Sequence, residues 1–89
     1  MDAYGAVSFF LGAWCEKIQE SKEPSLRIWE GYLAWCTLER MRPHKPEVFF
    51  EALPQDGVEV RNGYARGVRL RAVAIGRLAE IKRGLEVVT

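Results

Sequence analysis

Residues able to attack, ligate or carry protons are few in this chain. It holds one histidine, His44, and two cysteines, Cys15 and Cys36. His44 lies between two prolines in "RPHKP" (residues 42–46), which predicts an exposed turn and a structural or polyanion-facing role. Each cysteine follows Ala-Trp in an apolar stretch, so both are expected to be buried, reduced thiols acting as small hydrophobes. With no CxxC and a single histidine, no metal site is expected. No Ser-His-Asp or Cys-His constellation carries supporting motifs, and the carboxylates are scattered over polar faces. No GxxxxGK[ST] is present to cradle nucleotide phosphates. The expectation is a non-enzyme with no catalytic residues, no metal and no cofactor.

What remains is charge. The net charge of +1 hides a strong gradient. Residues 1–39 hold three basic side chains (Lys17, Lys22, Arg27) against six acidic ones, a balance of −3. Residues 61–83 hold seven basic side chains (Arg61, Arg66, Arg69, Arg71, Arg77, Lys82, Arg83) against Glu80, a balance of +6. Such asymmetry marks either contact with a polyanion or a solvated basic surface. A further basic run, Arg40, Arg42, His44 and Lys45, occupies the turn "RMRPHK".

Eighty-nine residues, 48% apolar and 28% charged, make one small globular domain rather than a disordered chain. The apolar run of residues 3–14 is shorter than the roughly 20 residues needed to cross a bilayer. Asp2 has the wrong sign for the start of a signal peptide, and no small-residue cleavage site follows. A cytoplasmic protein without a membrane segment is expected.

These charges must be positioned by elements legible from periodicity. Val7, Phe10, Leu11, Trp14, Cys15 and Ile18 recur at helical spacing and predict a helix over residues 3–20, ended by "SKEP". A second helix is predicted over residues 25–41, with Ser25 as N-cap and Pro43 and Pro46 as stops. Its stretch "IWEGYLAWC" (residues 28–36) carries three large aromatics. With Trp29 set at 0°, the apolar arc is about 160° wide, leaving Glu30, Gly31 and Ala34 on the back. That width predicts a helix packed against two neighbours rather than a platform for bases. A short third helix fits residues 46–53, with Pro46 at its first position and Pro54 as its stop.

"VEVRNGYARGVRL" (residues 58–70) predicts a β-hairpin turning at Asn62-Gly63. Straight pairing across that turn puts Val58 and Val60 on one face and Val68 and Leu70 on the other. A one-residue shift with a bulge at Gly67, or a wider loop, would reconcile them. Residues 72–83 then read as a helix, with Ile75, Leu78, Ile81 and Leu85 as its apolar series and Gly84 as C-cap candidate. The resulting class is mainly α with a small β-hairpin, in one domain: a core of residues 4–71 and a helical extension, 72–89.

The order helix, helix, short helix, basic hairpin is that of a winged helix, and four segments carry a closer resemblance. "IWEGYLAWC" resembles the Leu-Tyr-x-x-Tyr-x-x-Trp-Cys segment of the small domain that ends many phage, plasmid and viral primase–helicases. "FFLGAWCEK" is similar to that family's first helix, "PEVFFEAL" to its third, and "GYARGVRLR" to its terminal wing strand. The resemblance covers about residues 7–71. It implies a winged helix that binds duplex DNA, with the third helix in the major groove and the wing on backbone or minor groove, and no catalytic residue. It also implies a free-standing relative, since the helicase part is missing. One departure is plain: the third helix carries Glu47 and Glu51, which repel phosphate, whereas the family usually carries Arg or Lys beside the Phe.

Two functions are therefore in play. The first is a small DNA-binding protein of a mobile element acting in replication or its regulation, contacting DNA through Arg40, Arg42, His44, Lys45, Arg61, Tyr64, Arg66, Arg69 and Arg71. The second is a protein-interaction module that does not bind DNA: an adaptor, an inhibitor or a dimerising regulator. Ile75, Leu78 and Ile81 are then the face that pairs two subunits or engages a replication or regulatory protein; alternatively they dock on the same chain's first helix.

Overall fold

Asp2 starts the first helix by accepting a 2.7 Å hydrogen bond from the Gly5 amide at its side-chain Oδ1. The computed structural model describes residues 2–87, and the side chains of residues 2–83. It is mainly helical with small antiparallel sheets, in the order α1 (Ala3–Trp14), β1 (Cys15–Glu16), β2 (Lys22–Pro24), α2 (Ser25–Leu38), α3 (Pro46–Ala52), a 3₁₀ turn (Leu53–Asp56), β3 (Glu59–Arg61), β4 (Tyr64–Arg66), β5 (Arg69–Leu70) and α4 (Ala72–Val87). Among the described residues, no helix is long and apolar enough to cross a membrane.

The aromatic stretch of α2 is core. Tyr32 is fully buried and Trp35 nearly so. Tyr32 packs on Phe49 of α3 with ring centroids 4.5 Å apart, and Phe10 of α1 meets Tyr32 edge-on at 5.7 Å. The buried arc of α2 is nevertheless not the one its periodicity suggested. Ile28, Gly31, Tyr32, Ala34, Trp35 and Cys36 are buried, while Trp29 and Leu33 are only half-buried. The centre of the face is rotated by roughly 80° at 100° per residue. Gly31 and Ala34, expected on the back, are covered. A Cβ at Gly31 would lie 3.2 Å from Leu70 Cδ2 and 3.4 Å from Phe10 Cζ, so the missing side chain is what lets these neighbours in.

The first helix stops at Trp14, six residues before the end its periodicity predicted. Residues 15–24 leave helical geometry to pair with residues 64–70. Cys15 faces Leu70 and Glu16 faces Arg69; further on, Lys22, Glu23 and Pro24 face Arg66, Ala65 and Tyr64. Between them the chain loops out, bridged by Ile18 N–H to Gly67 C=O (3.2 Å) and Gly67 N–H to Ser21 C=O (2.8 Å). Pro24, with no N–H, lies on the edge strand where a proline is tolerated. Ser25 is the first helical residue of α2 rather than its cap, and its N–H donates to the Gly63 carbonyl at 2.9 Å.

The hairpin pairs straight across Asn62-Gly63, whose φ values of +52° and +79° fit the two-residue turn with both central residues left-handed. Neither a shift nor a wider loop is used between β3 and β4. The conflict of faces is resolved at Gly67, where φ of +83° turns the strand so that Val68 and Leu70 point into the core. The other ends also differ modestly. Helix α2 stops at Leu38 rather than residue 41, α3 passes into the 3₁₀ turn at Leu53, and α4 runs through Gly84 to Val87. Helix α4 docks on α2, not on α1: Ala74 and Leu78 are buried, and Lys82 reaches Glu30 at 2.8 Å. The side chain of Leu85, together with residues 1, 88 and 89, lies outside the described set.

Helix α2 is closed by a left-handed residue, Arg40, with φ of +55°. Met41 N–H donates to Cys36 C=O (2.8 Å) and Arg40 N–H to Thr37 C=O (3.2 Å), a closure that glycine usually provides. An L-residue there is strained by about 1–2 kcal/mol, part of which glycine would give back as unfolded-chain entropy. Arg40→Gly is therefore expected to stabilise the fold by about 0.5–1 kcal/mol net, read as a higher urea midpoint at unchanged slope. A lower midpoint would mean that the arginine side chain makes a compensating contact.

Candidate nucleic-acid interface

Residues directly opposite one another in an antiparallel ladder share a face. In the three-stranded sheet β2-β4-β3, the row Glu23, Ala65 and Val60 belongs to the inner face, since Ala65 is fully buried. The rows Lys22, Arg66, Glu59 and Pro24, Tyr64, Arg61 therefore share the outer face. Lys22 Nζ sits 4.6 Å from the centroid of the Tyr64 ring, which is 39% exposed. Three cations and an aromatic ring thus surround one patch, with Glu59 as its one carboxylate, held 3.1 Å from Arg61. A shallow cleft at the foot of the hairpin adds Lys17 near Arg66, but also Asp56.

The basic residues expected to act together fall into three groups. Arg61, Tyr64 and Arg66 share the outer face just described. Arg69 and Arg71 lie at the far end of the strands, bound to an acid. Arg69 donates from Nε (3.1 Å) and Nη2 (3.0 Å) to Glu16 Oε2, while Arg71 Nη1 is 3.7 Å from Oε1 of the same carboxylate. Arg71 Nη2 also donates to the Gly12 carbonyl at 3.4 Å. One carboxylate thus offsets part of the charge of both. Arg40, Arg42, His44 and Lys45 form the third group, on the connector between α2 and α3. The Ser25–Gly63 bond fixes the hairpin tip at the start of α2, so the connector stands at the other end of that helix, about 21 Å away by helix rise.

Lys22 is the member that sequence reading missed. It comes from the acidic half, forty-four positions before Arg66. A three-residue strand ending in proline has no periodic signature; only the pairing places it there. His44 is half-buried: Tyr32 Oη lies 2.9 Å from its Nδ1 and accepts from its backbone N–H at 3.2 Å. It anchors the connector to the core, while Arg40, Arg42 and Lys45 are exposed.

The proposed partner face on α4 is divided. Leu78 is buried against α2, Ile81 is half-buried and Ile75 is 38% exposed. Both cysteines are free and buried. Burial pushes the Cys15 thiol up to about 12, with Glu23 adding to the rise, and burial also raises Cys36. Burial thus favours the protonated thiol at both positions. Among the described residues, no cluster of three or more His, Cys, Asp or Glu side chains is placed to hold a metal ion.

Comparison with protein-family models, with curated proteins and with solved structures finds no match for this chain.

Tyr32 and His44 supply a direct test of the connector. Tyr32→Phe keeps the aromatic packing and strands the His44 N–H and Nδ1. It is expected to cost about 1–3 kcal/mol in chemical unfolding, with amide exchange at residues 40–45 accelerated more than in the hairpin.

Proposed function

We propose that this chain is a small non-enzymatic protein that binds duplex DNA through the outer face of its sheet, on a winged-helix plan. The observation that carries the reading is the convergence of Lys22, Arg61, Tyr64 and Arg66 on one exposed face. Its chemistry suits phosphodiester oxygens: exposed ammonium and guanidinium groups supply charge, and a ring edge packs on sugar. The element order also supports it, since a strand between the first two helices pairs with a hairpin that follows the third. The exposed Glu47 and Glu51 on α3 argue that recognition rests on backbone contacts more than on base edges. On the resemblance of its segments to primase–helicase end domains, we place the protein in the cytoplasm, in replication of a mobile element or its regulation.

A second reading, a protein-interaction module, draws on α1. That helix has no charged residue, and Phe9 is 61% exposed beside Gly5, Gly12 and Ala13. The two readings separate on one titration.

With Lys22 and Arg66 each neutralising one phosphate, and Arg61 a third where it exchanges Glu59 for it, log K against log salt for random duplex should fall with a slope of about −2 to −3. Replacing Lys22 and Arg66 by Gln should weaken all sequences alike and flatten the slope by about two contacts. Arg69→Gln should change it little, because Glu16 already holds that side chain. Absence of duplex binding at low salt, from a folded monomer, would discard the DNA reading in favour of the second.

A further inference from the structure

The connector between α2 and α3 holds three cations in six residues, Arg40, Arg42 and Lys45. All are exposed, and among the described residues none is paired with a carboxylate. Arg61, Arg69, Arg71 and Lys82 each have such a partner. Arg40 is also in the left-handed region, at φ +55°. The backbone bonds that close α2 there need no side chain, so nothing in the fold explains why an arginine holds a position suited to glycine. The connector is rigid as well: Pro43 and Pro46 restrict it, and two hydrogen bonds tie His44 to buried Tyr32. Rigid, unpaired cations lose little freedom on meeting an anion.

We propose that this connector is a second phosphodiester-binding surface and that one molecule can bridge two duplex segments. The inference rests on the DNA-binding reading above and adds a second face to it. The sheet patch and the connector stand at opposite ends of α2, about 21 Å apart along its axis. The chain returns from one to the other through α3, whose exposed Glu47 and Glu51 repel phosphate. Glu39 and Glu47 bound the connector on either side and confine its positive field to residues 40–45. The acidic helix leaving the connector disfavours a single phosphate run over both surfaces and leaves the connector to take another.

Arg40→Gly combined with Arg42→Gln removes two of the three charges while relieving backbone strain, so loss of folding does not cloud the result. One short duplex is fixed to a surface, protein is added, and capture of a second, labelled duplex is measured beside ordinary single-duplex affinity. The double variant should bind single duplex within roughly twofold of the parent, the statistical share of one of two faces, and capture the second duplex roughly tenfold less. Lys22→Gln with Arg66→Gln should also abolish capture. Binding without capture by the parent protein, or equal capture by the double variant, overturns the bridge and leaves the DNA reading standing. Capture that appears only with a sedimenting dimer overturns it too. Absence of single-duplex binding removes the DNA reading itself. Retention of poly-glutamate but not of duplex through Arg40 and Arg42 overturns the bridge in favour of an acidic protein partner.

Discussion

The antiparallel pairing of residues 15–24 with residues 64–70 is the constraint on which most of this molecule depends. It joins segments some fifty positions apart, so its loop-closure cost is met only when the aromatic core brings the two together. Once formed, it sets the boundaries of three helices. Helix α1 ends where Cys15 joins Leu70. Helix α2 begins where the Ser25 amide finds the Gly63 carbonyl. Helix α4 starts one residue after Arg71 N–H reaches Trp14 C=O at 2.9 Å. Gly67 is the pivot, because its positive φ turns one strand from solvent-facing hairpin to core-facing edge. Its N–H and C=O at the same time hold the looped-out partner segment.

The same pairing rewrites the electrostatics. Along the chain, acids lie first and bases last. In space, the acidic segment lies against the basic strand, and Glu16 takes up both Arg69 and Arg71. Exposed ion pairs contribute little to stability, but they change which cations are free. Unpaired cations gather on the outer sheet face, where Lys22 joins Arg66, and on the connector beyond α2; among the described residues Lys17, Arg27, Arg77 and Arg83 are also without an ion pair. Along the chain, the acidic short helix α3 separates the connector from the hairpin.

The aromatic core makes both surfaces possible. Tyr32 joins core to connector: its ring packs against Phe49 and Phe10, while its hydroxyl holds His44 and so fixes the basic connector to the core. Phe9, on the outside of α1, stacks on Trp35 at 6.1 Å yet remains largely exposed. The face around it is uncharged, which sets α1 apart from the charged surfaces of the sheet and connector.

Local chemistry alone determined a good deal. Pro46 marked the start of α3 and Pro54 the end of its regular α-helical part, because proline has no amide to donate; α2 stops short of Pro43, at Leu38. Asn62-Gly63 marked the hairpin, because only such residues accept two consecutive positive φ values cheaply. Val7, Phe10 and Leu11 marked the buried side of α1, because their spacing matches the helical turn. Tertiary structure alone decided the rest. Ile18 kept a helical spacing in a segment that is not helical, because strand pairing outweighed local preference. Gly31 looked like a solvent-side residue and is a contact point, because α1 and β5 close on the side where the helix is thinnest. Lys22 joined the basic face through register, and no property of a single residue encodes which residue will lie opposite it fifty positions away.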